Sequence, residues 1–170
     1  MKSLSKSALI IAVIIIVIAG LGLYYYESYG KVYVYLSDPG NSSFIAIYLT
    51  VTSIQVHSNK GWMTISNKTE TIQLSSIPQF VASANLPTGN YTELRFVVES
   101  VMISLANNVN VSATLPSNVF KVAIPGGLTV KSGSPQYLTI SIGPHVIETG
   151  NGSFILRPLI TVTASNKPPK

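Results

Sequence analysis

The chain has 170 residues, 11 of them basic and 6 acidic, a net charge of +5 and no cysteine. The absent thiols exclude disulfides, Cys–zinc sites, Cys-attached haem and thiol catalysis. The basic surplus does not point to nucleic acid. Lys2 and Lys6 flank an apolar run, Lys167 and Lys170 lie in a Pro-containing tail, and the remainder is nearly balanced with no basic stripe.

The apolar run is Ala8–Leu23, ALIIAVIIIVIAGLGL, followed directly by Tyr24-Tyr25-Tyr26. At about 1.5 Å per residue, Ala8–Tyr26 is long enough to cross roughly 30 Å of hydrocarbon as a helix. In lipid the backbone must satisfy its own hydrogen bonds, so the many Ile and Val residues do not argue against helix there. Lys2 and Lys6 precede the run and no acid appears before Glu27. That asymmetry predicts a single-pass span in the cell membrane, with Met1–Ser7 cytoplasmic and the following domain extracellular. The tyrosines suit the headgroup layer, rings in apolar surroundings and hydroxyls wet. A retained signal anchor is the preferred reading. A secretory signal cut near Ile18-Ala19-Gly20 and a pilin-type leader cut after Lys6-Ser7 are the alternatives. The expected division is 1–29 as cytoplasmic stub and anchor, 30–164 as one extracytoplasmic domain, and 165–170 as a polar tail.

Beyond the anchor, Gly30–Leu36 alternates as a strand, and Ser37-Asp38-Pro39-Gly40-Asn41 reads as a turn. Phe44–His57 is a long strand whose apolar parity switches after Val51, which requires a bulge near Thr52-Ser53. Ser58-Asn59-Lys60-Gly61 closes a hairpin onto Trp62–Ser66. Thr71–Leu74 is a short strand. Ile77, Phe80, Val81 and Ala84 have helix-like spacing, so one short helical turn is expected after Pro78. Pro87-Thr88-Gly89-Asn90 turns into a second long strand, Tyr91–Leu105, with another parity switch at Glu99-Ser100. Asn107-Asn108 turns into Val109–Leu115. Phe120–Ile124 and Leu128–Val130 are short strands about a Pro125-Gly126-Gly127 turn. Gln136–Ile142 follows, and Gly150-Asn151-Gly152 turns into a last strand, Phe154–Thr163. Many short strands with little helix predict an all-β, antiparallel, Greek-key-like sandwich behind one N-terminal transmembrane helix.

Several stretches carry a family resemblance. LPTGNYTELRFVVES at Leu86–Ser100, GWMTIS at Gly61–Ser66, PSNVFKVAIPGGLTVKSG at Pro116–Gly133 and TGNGSFILRPLI at Thr149–Ile160 resemble the family called domain of unknown function 4382. The opening VYVYLSDPGNSSFIAIYLTVTSIQVHS fits its usual start, and the Ile-, Tyr- and Asn-rich style is similar to its archaeal members. The resemblance implies a β-sandwich on a secreted or membrane-attached protein. It transfers no catalytic residue.

No catalytic, cofactor or metal residue is assigned. His57 and His145, with Asp38, Glu70, Glu93, Glu99 and Glu148, show no metal-ligand spacing. There is no G-x-S-x-G, so an enzyme is not expected. Trp62, Tyr91 and Phe154 could line a sugar-binding face, but strand aromatics are more often core. Arg95 is expected to pair with Glu93, with Arg157 nearby. Asn41, Asn67, Asn90, Asn110 and Asn151 head N-x-S/T sequons in turns or at strand ends, and are candidate N-glycosylation acceptors. Ser, Thr and Asn outnumber charged residues by more than two to one, so the surface is neutral and polar. These features predict a cell-surface protein with a structural, adhesive or protein-interaction role. Its expected partners are the bilayer, other envelope proteins or itself, and attached glycans. A surface-filament subunit, pilin-like or strand-exchanging, and an extracellular module for a glycan or small ligand are the alternatives.

Overall fold

The computed structural model describes residues 6–38, 46–105 and 109–170. Its elements are α1 (Lys6–Ser28), β1 (Tyr29–Ser37), β2 (Ala46–Ser58), β3 (Gly61–Ser66), β4 (Glu70–Gln73), β5 (Gln79–Pro87), β6 (Gly89–Ser104), β7 (Asn110–Thr114), β8 (Val119–Val130), β9 (Gln136–Gly143), β10 (Val146–Glu148), β11 (Phe154–Leu156) and β12 (Leu159–Ser165). Asn41, the start of the second strand at Phe44 and the Asn107-Asn108 turn lie outside the described residues.

Two sheets face each other. One has four strands in the order β12-β9-β1-β5. The other is built on the long antiparallel pair β2/β6, with β3 and β4 beyond β2, and with β8, β7, β11 and β10 beyond β6. The sandwich follows the sequence expectation, but the sheets are mixed. β1 runs parallel to β9, and β7 runs parallel to β11. Alternation reports which face of a strand is buried and carries no information about the direction of its neighbour.

Core and bulges explain each other. Ile47, Leu49 and Val51 point inward on β2, followed by Ile54 and Val56. On β6 the inward set is Leu94, Phe96 and Val98, followed by Val101 and Ile103. The β2/β6 register skips Thr52 on one strand and Glu99 on the other, next to each other. The two expected parity switches are therefore one feature, a paired irregularity that keeps both halves of each strand facing the core.

Three expectations change. The segment after Pro78 is a strand, β5, paired with β1 from Tyr29↔Pro87 to Leu36↔Gln79. Its register skips Val81, so Val81 and Ala82 both turn inward. Two adjacent inward residues broke the alternation and imitated helical spacing. Pro125-Gly126-Gly127 does not reverse the chain. Val119–Val130 is one strand along β6, and Gly126 (φ 75°) and Gly127 (φ 73°) form an outward bulge opposite Thr92. The last strand is cut at Arg157-Pro158. Phe154–Leu156 belongs to the large sheet and Leu159–Ser165 to the small one. Proline offers no N–H to a ladder, so the chain changes sheets there.

Candidate functional site

The join between α1 and the sandwich has no linker: the helix ends at Ser28 and β1 begins at Tyr29. Every residue of α1 is at least partly exposed, and the helix is apolar throughout. It is long and apolar enough to cross a membrane or serve as a signal anchor. Two of its last four carbonyls, which a helix cannot satisfy internally, are taken by the domain. The Ser132 hydroxyl donates to the Tyr26 carbonyl at 2.7 Å, and the Thr88 amide donates to the Ser28 carbonyl at 2.9 Å. Tyr25 stacks on Tyr29 across the boundary, with centroids 4.6 Å apart. Two glycines permit this approach. A Cβ at Gly30 would collide with the Lys131 carbonyl and with the Val130 side chain at 2.7 Å, and one at Gly133 would lie 2.7 Å from the Tyr26 hydroxyl. Beside the join lies a cleft of about 570 Å³, between Tyr25 and Tyr29 on one side and Gly133–Pro135 on the other.

The outer face of the small sheet carries four ring side chains in mutual contact. Tyr33 stacks on Tyr137 (5.3 Å), and Phe80 meets both Tyr33 (6.4 Å) and Tyr35 (5.8 Å). Phe80 is 55% exposed. The sequence reading missed this face because its members lie on three strands. Only the β5–β1–β9 register aligns them.

A second cluster lies on the outer face of the large sheet. Arg95 lays its guanidinium over Trp62 at 4.3 Å, Lys121 stands 5.8 Å from the same ring, and His57 lies 4.9 Å from it. Nε and Nη2 of Arg95 both donate to Gln55 Oε1. Arg95 thus takes its cross-strand neighbour Gln55 rather than Glu93, because residues two apart on a strand share a face less intimately than directly opposed residues.

Other residues singled out from the sequence fall apart in space. Tyr91 and Phe154 are core, with the Tyr91 hydroxyl donating to the Pro87 carbonyl at 2.9 Å, so they cannot join Trp62 in a sugar-binding face. Burial pushes the Tyr91 hydroxyl above its ordinary range. His145 is exposed ahead of β10, while His57 lies against Trp62. Among the described residues no three His, Asp or Glu side chains group to hold a metal ion. Asn67, Asn90, Asn110 and Asn151 are exposed. Asn67 accepts from the Ser53 hydroxyl at 3.2 Å, and Asn151 accepts from the Ser153 amide at 3.2 Å within the tight turn.

Fold and join together define a class: a two-sheet sandwich continuous with an apolar N-terminal helix. The chain belongs to the family described as Domain of unknown function (DUF4382), whose model matches residues 29–158. The match opens on the first residue of β1 and ends ahead of β12, which completes the small sheet against β9. No curated protein and no solved structure matches the chain.

Proposed function

We propose that this is a membrane-anchored cell-surface protein whose sandwich has a structural, adhesive or protein-interaction role in the cell envelope. α1 is its single span, with the N-terminus cytoplasmic and the domain extracellular. The observation that carries the reading is an apolar helix, uncovered on every face, whose end is capped by the domain itself. Such a helix needs an apolar surrounding, and the bilayer supplies one. The positive flank before the helix supports the orientation. Protease treatment of intact cells tests it. Release of fragments from the sandwich is expected, and a domain protected until the cells are lysed would count against the reading.

Two alternatives have an observation behind them. Neighbouring helices of other copies could also cover α1, which favours a filament subunit, pilin-like or strand-exchanging. The mass of the native N-terminus separates these: Met1 or Lys2 retained supports the anchor, and Ala8 exposed supports the filament. The Tyr33–Tyr137–Phe80 face favours a glycan-binding module, since sugar rings stack on exposed aromatics. A glycan array showing no binding by the detergent-solubilised chain would remove that alternative. The exposure of Asn67, Asn90, Asn110 and Asn151 leaves these sequons accessible to a glycosyltransferase.

A further inference from the structure

The two ends of the sandwich differ in charge. Register identifies which residues share the end where α1 leaves. Tyr29 pairs with Pro87, and Gly89 pairs with Val130. Lys31 is two residues into β1, and the Lys131 carbonyl lies against Gly30. Lys60, at the tip of the β2–β3 hairpin, borders a cleft of about 610 Å³ shared with Pro87–Tyr91. The Thr88 amide of that turn is the one that caps Ser28. The tail bearing Lys167 and Lys170 departs from Ser165, which pairs with Tyr137 in the same half of the small sheet.

The six carboxylates do not share this bias: two lie near this end, two at mid-height and two in the far half. Glu27, in the last turn of α1, and Glu93, opposite His57, are the two near this end. Glu70 and Glu99 lie at mid-height beside Val51, and Asp38 follows the far end of β1. Glu148 pairs with Phe154, which reaches β6 through Ala113 at Val101, in the far half.

We propose that the end of the sandwich around α1 is a docking surface for anionic lipid headgroups. Lys31, Lys60 and Lys131 are its cationic contacts, and the cleft between Tyr29 and Gly133–Pro135 seats one headgroup. This rests on α1 being embedded in a bilayer, but not on which side of it the domain lies. A helix of 23 residues is about 35 Å long, slightly more than the hydrocarbon core. Tyr24–Tyr26 then stand at headgroup depth, and the capped join places Lys31, Lys60 and Lys131 on the end of the sandwich just beyond them, with the Lys31 amine 5.9 Å from the Tyr33 ring. Basic residues beside a span are attracted to anionic lipid.

Native mass spectrometry of the full-length protein in detergent micelles tests this, with phosphatidylglycerol or phosphatidylcholine added. The wild type is expected to retain phosphatidylglycerol preferentially, by a factor of about five for each engaged lysine. Lys31→Gln/Lys60→Gln/Lys131→Gln should lose the preference, while Lys68→Gln/Lys121→Gln/Arg157→Gln, which removes equal charge elsewhere, should keep it. Equal retention of both lipids by the wild type, or an unchanged preference in the first variant, would overturn the proposal. Displacement of phosphatidylglycerol by excess inorganic phosphate would also overturn it, by showing a free-anion site. A chain that stays outside the micelle overturns the anchor as well. One that enters the micelle but shows no lipid preference overturns the headgroup surface alone.

Discussion

Gly30 is where a single atom has the largest leverage. Its backbone is extended, so the constraint is space and not conformation: the Lys131 carbonyl occupies the position a Cβ would need. Gly30→Ala must push β1 away from the Lys131–Ser134 turn that also caps α1. Overpacking of this kind costs about 1–3 kcal/mol, and thermal unfolding of the detergent-solubilised chain should show the loss. Tyr91 offers a test with a pH signature. Its folded-state hydroxyl titrates above the ordinary value because burial penalises the phenolate. The folded state therefore holds that proton more tightly than the unfolded chain does. Stability is complete below the ordinary tyrosine range of about 10 and falls as the pH rises through it. Tyr91→Phe should cost about 1 kcal/mol at neutral pH through the lost bond to Pro87, and should flatten part of that alkaline decline in denaturant titrations.

Among elements, the paired irregularity in β2 and β6 governs what is inside. Deleting Thr52 would put Ile54 and Val56 on the same parity as Val51, so an even β2 would still face them inward, but the irregularity at Glu99 on β6 would lose its counterpart. The deletion variant is expected to keep its β-sheet circular dichroism and to melt at a lower temperature, whereas Thr52→Ala should be tolerated. Loss of the β-sheet signal on deletion would show that the bulge itself is required for folding. The sequence showed this bulge because apolar residues on both sides of it are large and their parity is unambiguous. The β5 bulge was illegible for the opposite reason: Val81 and Ala82 in a short segment after a proline fit a helical turn equally well. The β11–β12 division was also hidden. Pro158 was visible, but a proline inside a strand-like run does not say that the two halves join different sheets. Of the candidate surfaces, Trp62, His57 and Arg95 could each be singled out from the sequence, but their meeting with Lys121 at one ring could not. They lie on different strands, and only register brings them to one ring.

The molecule as a whole is sparing with charge, with 6 acidic residues in 170. Few carboxylates means few protons taken up on acidification. The stability of the full-length chain should therefore change by less than about 2 kcal/mol between about pH 7 and about pH 3. Thermal melts across that range check this, and a collapse in acid would show that a few carboxylates carry more of the fold than their number suggests. The apolar N-terminal helix was the most legible part of the chain because its signal is compositional. The basic end was invisible for the complementary reason. Lys31, Lys60 and Lys131 are far apart in sequence and neighbours only through strand direction.

The missing linker has a mechanical consequence. A domain tethered by a flexible string sweeps a hemisphere and can fish for distant targets. This one, fastened through Ser132 and Thr88 to the last turn of its helix, can tilt only as the helix tilts and spin only as the helix spins. Its reach is set by its longest strand, 16 residues or about 50 Å, and whatever it touches must itself be brought down to that height.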